Sequence, residues 1–126
     1  MERALRFPRL KQRLVRKWGS YCWQRIPEAE FERMVDGLIV NMKDRKINDE
    51  RELAEFVSHE SQVKGPLGLP QWRLFIKEDY QPDKSLFILK MHHVVTDGYG
   101  MSVFLANVMD TFDEQVLPHL PVLTTF

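Results

Sequence analysis

The chain has 126 residues and a single cysteine, with 44% hydrophobic and 29% charged residues. These values predict one globular domain and exclude a disordered chain, an internal disulfide framework and a multi-cysteine zinc site. The formal net charge is zero, but residues 1–17 hold seven basic side chains and one acid, so the remainder sums to −6. This basic N-terminal segment is expected either to attract phosphates, anionic lipid or nucleic acid, or to be merely solvated.

The first third of the chain predicts a short helix, a strand and then an ambiguous segment. The helix is expected to begin near Pro8 and to end before Gly19. Its apolar side would comprise Phe7, Leu10 and Leu14. Aromatic-rich residues 21–26 predict a strand that Pro27 stops. Residues 28–42 fit a helix or a strand, and an extended ending is favoured.

The middle of the chain predicts a helix followed by a two-stranded hairpin. Asn48 or Asp49 can cap the helix, with Glu52 as the capping-box partner. Its buried stripe would comprise Leu53, Phe56 and Val57. Residues 71–78 alternate as a strand does, and the apolar run at 86–92 indicates a central strand covered on both faces.

The last predicted helix runs from Gly98 to Glu114, and residues 117–121 end it. Its helically spaced apolar residues are expected to be core: Met101, Phe104, Leu105, Val108, Met109 and Phe112. The whole pattern predicts an α+β fold, a mixed sheet with flanking helices, containing at least three strands and two or three helices.

Two histidines and an aspartate lie at the junction between the apolar strand and this helix. Strand neighbours point to opposite faces, so His92 and His93 are expected to do different jobs, or both to be structural. Asp97 can orient an imidazole or cap the helix, and Gly98 and Gly100 permit tight backbone geometry. A metal site is disfavoured because His59 and His119 lack ligand spacing to the pair.

The segment His92-His93-Val94-Val95-Thr96-Asp97-Gly98 resembles the HHxxxDG motif of the superfamily that includes chloramphenicol acetyltransferase, plant BAHD acyltransferases and peptide-synthetase condensation domains. With the upstream Pro70-Gln71-Trp72-Arg73 and the strand at 85–91, most of residues 9–120 is similar to the wax ester synthase/diacylglycerol acyltransferase family. That resemblance implies a partial CoA-dependent acyltransferase-like fold.

The resemblance also implies a reaction. His93 would be the general base that takes a proton from a long-chain alcohol or from diacylglycerol, whose oxygen then attacks the thioester of acyl-CoA. His92, Asp97 and Gly98 would support the site, and Arg73 is the candidate ion-pair partner of Asp97. Acyl-CoA is a co-substrate in this scheme, and neither a cofactor, a metal nor nucleic acid is expected.

The family's enzymes have two similar domains with a channel between them. We therefore expect residues 1–17 to form a basic segment and residues 18–126 a partial N-terminal domain, with the C-terminal domain absent. The alternative is a non-catalytic acyl-CoA- or lipid-binding remnant, or a subunit that needs a second half. The expected location is cytoplasmic, with peripheral contact at the endoplasmic reticulum or lipid droplets through the basic start.

Two further interpretations concern His92 and Cys22. His92 and Asp97 also match the HxxxxD spacing of glycerolipid acyltransferases, but that motif does not require His93, Gly98 or the Trp-Arg strand. Cys22 is expected to be a small core residue rather than a nucleophile, because no histidine lies near it in sequence.

Overall fold

The protein, seen in a computed structural model, is described over residues 6–109. This part of the chain contains five strands and three α-helices. Their bounds are β1 (Gln12–Lys17), β2 (Ser20–Arg25), α1 (Glu28–Leu38), β3 (Ile39–Asn41), α2 (Glu50–Gln62), β4 (Trp72–Gln81), β5 (Lys84–Met91) and α3 (Gly98–Val108). β1 and β2 form an antiparallel pair, while β3 runs parallel and β5 antiparallel to the central β4. The predicted α+β class with a mixed sheet is confirmed.

Residues 7–17 of the basic N-terminal segment pack against the rest of the described fold. Pro8–Lys11 form one 3-10 turn with Leu10 buried beneath it. The indole N–H of Trp72 donates a hydrogen bond of 2.9 Å to the carbonyl of Leu10. The ring of Phe7 packs edge-on against Phe104, with 5.1 Å between the ring centroids. A boundary after residue 17 would therefore cut through the β1–β2 hairpin.

The predicted helix through Leu14 is wrong beyond residue 11. Leu14 lies in β1, directly opposite Trp23 of β2, and the hairpin turns at Trp18 and Gly19. Pairing with β2 supplies the backbone hydrogen bonds that a helix would otherwise provide, so tertiary context overrides the local apolar spacing. The predicted strand at 21–26 is confirmed with a shift of one residue, because β2 is Ser20–Arg25.

The ambiguous segment at 28–42 resolves into a helix and an extended ending, as favoured from sequence. α1 buries Phe31 and Leu38, and β3 follows it directly. β3 pairs with β4 in parallel, with Ile39 opposite Leu74. This pairing makes β4, and not β5, the centre of the three-stranded sheet.

The cap predicted for α2 is confirmed. The Asp49 carboxylate accepts a hydrogen bond of 2.8 Å from the amide of Glu52, and the Glu52 carboxylate accepts one of 2.7 Å from the amide of Asn48. The helix lies on one face of the sheet through half-buried Leu53 and Phe56. Val57, predicted to be buried, is 43% exposed.

Helices cover both faces of the sheet. On one face β4 and β5 contribute Trp72, Leu74, Leu89 and Met91 to a core shared with α1 and α3. On the other face Phe75, Leu86 and Ile88 pack with α2. The apolar run of β5 is therefore covered on two faces as expected, but the central position predicted for it is wrong. In the described sheet β5 is an edge strand that pairs only with β4.

The β4–β5 hairpin is confirmed, and so is the start of the last helix at Gly98. The predicted helix end at Glu114 is wrong, because α3 ends at Val108 and Met109 is extended. α3 buries Val103 and Phe104, whereas Leu105 and Met109 are 37% and 59% exposed. Phe112 and the predicted helix ending at 117–121 lie outside the described residues. Within residues 6–109, every helix is too short or too polar to cross a membrane.

Candidate active site

The turn between β5 and α3 is fixed to the fold at both of its ends. At its start, the amide of His92 donates a hydrogen bond of 2.9 Å to the carbonyl of Gln71, next to β4. The carbonyl of His92 then accepts one of 2.9 Å from the amide of Val95. Val95 is only 8% exposed and belongs to the core between the sheet and the helices. These contacts make the turn a rigid support for the side chains that it carries.

The imidazole of His92 takes part in holding this turn. Its Nδ1 accepts a hydrogen bond of 3.2 Å from the amide of Val94. In the neutral ring the proton is therefore on Nε2, since Nδ1 is occupied as an acceptor. The ring remains exposed, but one of its two nitrogens is engaged by the backbone.

The imidazole of His93 is exposed and makes no hydrogen bond with any residue in the described range. Both of its ring nitrogens are thus open to an incoming group. The two adjacent histidines differ in this respect, because only His92 is engaged by the backbone of the turn.

Asp97 is the N-cap of α3. Its carboxylate Oδ1 accepts a hydrogen bond of 2.8 Å from the amide of Gly100, and its backbone is extended, as an N-cap residue requires. Among the described residues, the Asp97 side chain makes no hydrogen bond to His92 or His93. Of the two roles open from sequence, the structure places Asp97 in the capping role.

The backbone is close-packed at one glycine of the turn. A Cβ on Gly100 would lie 2.0 Å from Oγ1 of Thr96 and 3.3 Å from Oδ1 of Asp97, whereas a Cβ on Gly98 would meet nothing within 4 Å. A side chain at position 100 would therefore clash with Thr96, so glycine is needed there for Thr96 and the Asp97 carboxylate to pack against the first turn of α3. Sequence reasoning did not single out Thr96, and no local pattern marks it.

The proposed Arg73–Asp97 ion pair is absent from the described part of the chain. Arg73 lies opposite Lys90 across the β4–β5 pair and has no carboxylate within ion-pair distance among residues 6–109. Strand alternation explains this outcome, because Trp72 faces the core that contains Val95. Arg73 must then point to the opposite face, the one that α2 covers.

Exposed apolar side chains flank the turn in sequence. Phe87 of β5 is 64% exposed, Val94 47% and Tyr99 58%. His93 lies in the turn beyond the end of β5 at Met91, next to Val94 in sequence. Exposed apolar side chains such as Val94 and Tyr99 are suited to contact an apolar molecule or another apolar surface.

The described residues include no group of side chains that could hold a metal ion, and they include one free cysteine. In that range no three His, Cys, Asp or Glu side chains lie close enough to hold a metal ion together. Cys22 is a free, half-buried residue of β2, opposite Val15. His119, considered above as a ligand, lies outside the described residues.

No family model matches the chain. Among curated proteins, gramicidin S synthase 2 of Brevibacillus brevis is 33% identical over 42 residues, which is 33% of this chain and 1% of the synthase. Gramicidin S synthase 2 of Aneurinibacillus migulanus gives the same values. The matched part of the chain therefore spans 1% of the length of these relatives. This is a local similarity and does not by itself assign a family.

Proposed function

We propose that this chain carries the general base of an acyl-CoA-dependent O-acyltransferase, and that His93 is this base. One observation carries the proposal. A rigid turn presents His93 to solvent with both ring nitrogens open, while the neighbouring His92 and Asp97 are engaged in holding the turn. A positioned imidazole of this kind can take a proton from a bound acceptor and return it later.

In the proposed reaction the hydroxyl of a long-chain alcohol or of diacylglycerol donates a hydrogen bond to His93. As the acceptor oxygen bonds to the thioester carbonyl carbon of acyl-CoA, its proton passes to the imidazole. The carbon–sulfur bond then breaks, and the CoA thiolate receives the proton from His93. The products are an ester and free CoA, and no acyl-enzyme forms. His92, Asp97 and Gly98 position this centre and do not touch the reacting atoms.

The local similarity to gramicidin S synthase 2 favours testing a second acceptor. The superfamily that the motif resembles includes peptide-synthetase condensation domains, and a peptide bond is an amide of an acyl group and an amine. The same base would then take a proton from nitrogen, and the product would be an amide. An assay should offer both kinds of acceptor to the same acyl thioester.

The exposure of the site supports a second candidate function. Much of an enzyme's rate comes from positioning the reactants and from fixed polar groups in a site that excludes water. His93 is exposed, and so are the apolar side chains of Val94, its neighbour in sequence, and of Tyr99 in the first turn of α3. A chain that binds acyl-CoA or lipid without turnover, or that needs a second subunit to cover this surface, would fit the same geometry.

The test is an ester-formation assay with labelled acyl-CoA and either hexadecanol or diacylglycerol, with a parallel arm containing an amine. His93→Ala should lower the rate about 10²–10⁴-fold. It should leave the melting temperature unchanged, because the ring has no hydrogen-bond partner among the described residues. His59→Ala is the matched control, since that histidine is also exposed but lies on α2.

The outcomes separate the two candidates. Turnover that depends on His93 and not on His59 supports the transferase. Acyl-CoA binding without turnover, unchanged by His93→Ala, supports the non-catalytic function. Turnover that is insensitive to His93→Ala contradicts the assignment of the base.

A further inference from the structure

The tip of the β1–β2 hairpin carries a tryptophan where folding does not favour one. Lys17 pairs with Ser20, so Trp18 and Gly19 alone make the turn, and both have positive φ, 52° and 81°. Two-residue hairpin turns with positive φ at both positions favour Asn, Asp and Gly. For a bulky residue such a backbone is an outlier and costs about 1–2 kcal/mol.

No packing within the described residues offsets this conformational cost. Trp18 is 101% exposed, and its ring makes no hydrogen bond or ring contact there. The other tryptophans behave differently, because Trp23 and Trp72 both belong to the core. A fully exposed indole held out on a strained turn is therefore better explained by binding than by folding.

The residues beside Trp18 are basic and aromatic, and they are exposed. Arg16 and Lys17 precede it, and both are exposed without an ion-pair partner in residues 6–109. Tyr21, directly opposite Arg16, is 62% exposed. Residues 12–25 contain four cations and no acid. At the base of the hairpin, by contrast, Arg13 is neutralised by Glu30 of α1.

We propose that this tip docks on the surface of an anionic phospholipid membrane. Trp18 and Tyr21 would enter the boundary between headgroups and acyl chains, where amphipathic rings are favoured, while Arg16 and Lys17 contact the headgroup phosphates. The shape of the hairpin tip favours a lipid surface over nucleic acid as the partner. Single-stranded nucleic acid is bound by a basic groove with several stacking platforms, whereas this tip is a turn that projects one ring. The proposal rests on the hairpin and is independent of the reaction at His93.

The experiment measures how the full chain partitions onto phosphatidylcholine vesicles prepared with and without phosphatidylserine. Trp18→Asn removes the indole but suits the positive φ, so the hairpin is expected to remain folded. Arg16→Glu/Lys17→Glu reverses the charge at the tip. Arg33→Glu/Lys46→Glu makes the same change in net charge at exposed cations elsewhere.

We expect binding to vesicles that contain phosphatidylserine, weakened by salt. Trp18→Asn should lower the partition coefficient about tenfold. The tip charge reversal should lower it at least about thirtyfold, and the control reversal much less. Subtracting the tryptophan fluorescence spectrum of Trp18→Asn from that of the wild type isolates the emission of Trp18. This emission should shift to shorter wavelength when the vesicles that contain phosphatidylserine are added.

Three outcomes would overturn the proposal. The first is no binding of the wild-type chain to the anionic vesicles. The second is equal loss of binding in the tip and control reversals, or none in Trp18→Asn. The third is tighter, Trp18-dependent binding to a single-stranded oligonucleotide than to the vesicles, which would identify nucleic acid as the partner.

Discussion

The role of Asp97 can be decided by three substitutions. Asp97→Ala removes the carboxylate that caps α3, a hydrogen bond of 2.8 Å to the amide of Gly100. Loss of an aspartate N-cap costs about 0.5–2 kcal/mol. The site is exposed, so water can replace part of the bond, and we expect about 1 kcal/mol. For a domain of this size that corresponds to a fall of about 5 °C in Tm.

Asp97→Asn separates capping from charge. Asparagine caps helices about as well as aspartate, so this variant should keep its melting temperature, its turnover and the slow hydrogen exchange of the Gly100 amide. Asp49→Ala is the matched control, because Asp49 caps α2 with the same distance of 2.8 Å to Glu52. Its stability loss should be similar or smaller, since α2 contains no fully buried residue, and the turn at His93 should not change.

Two results would contradict the assignment of Asp97 to helix capping. If Asp97→Asn melts like the wild type but loses turnover, the negative charge acts on the chemistry and capping is not its main role. If Asp97→Ala neither lowers Tm nor speeds exchange at Gly100, the hydrogen bond does not stabilise the helix.

Three further predictions concern β4. Trp72→Phe should lower stability by about 2 kcal/mol in a denaturant titration, because the carbonyl of Leu10 loses its buried donor. Lys77, only 2% exposed, donates a hydrogen bond of 3.0 Å to Asp79, which lowers the pKa of that carboxyl below its ordinary value of 3.8. The Lys77–Asp79 pair should therefore stabilise the fold at pH values above the ordinary pKa of 3.8, and this stabilisation should be lost as the pH falls through the lowered pKa of Asp79 in the folded protein. Asp79→Asn should then lower Tm at neutral pH, and lower it less in acid. Arg73→Lys should leave both Tm and turnover unchanged. A fall in both would instead indicate that Arg73 forms an ion pair with Asp97.

Local sequence signals were sufficient wherever the deciding contacts are close in sequence. The cap of α2 could be predicted because Asp49 and Glu52 are three residues apart, and the cap of α3 could be named as one of two roles for Asp97. The β4–β5 hairpin followed from two adjacent strand patterns. Strand parity led us to expect different roles for His92 and His93, but both residues lie beyond the end of β5 at Met91, and the different roles stay a prediction.

Contacts between distant parts of the chain decided the rest. The segment at Leu14 became a strand because it pairs with Trp23 around a turn that the helical spacing did not reveal. The candidate ion pair of Arg73 with Asp97 is absent among residues 6–109, because alternation fixes only which residues share a face of the sheet and not which helix covers that face. That choice depends on the core around Trp72, which only the packed structure defines.

The sequence by itself determined that this is an α+β chain with a histidine-bearing turn between a strand and a helix, because propensity, alternation and capping act over a few residues. Only the tertiary structure decided that β4 is the central strand, since the parallel pairing of Ile39 with Leu74 joins segments far apart in the chain. It also decided that Val95 fixes the turn while His93 stays open, and that Trp18 stands alone at a hairpin tip. Burial depends on the whole surrounding fold, and no local pattern encodes it.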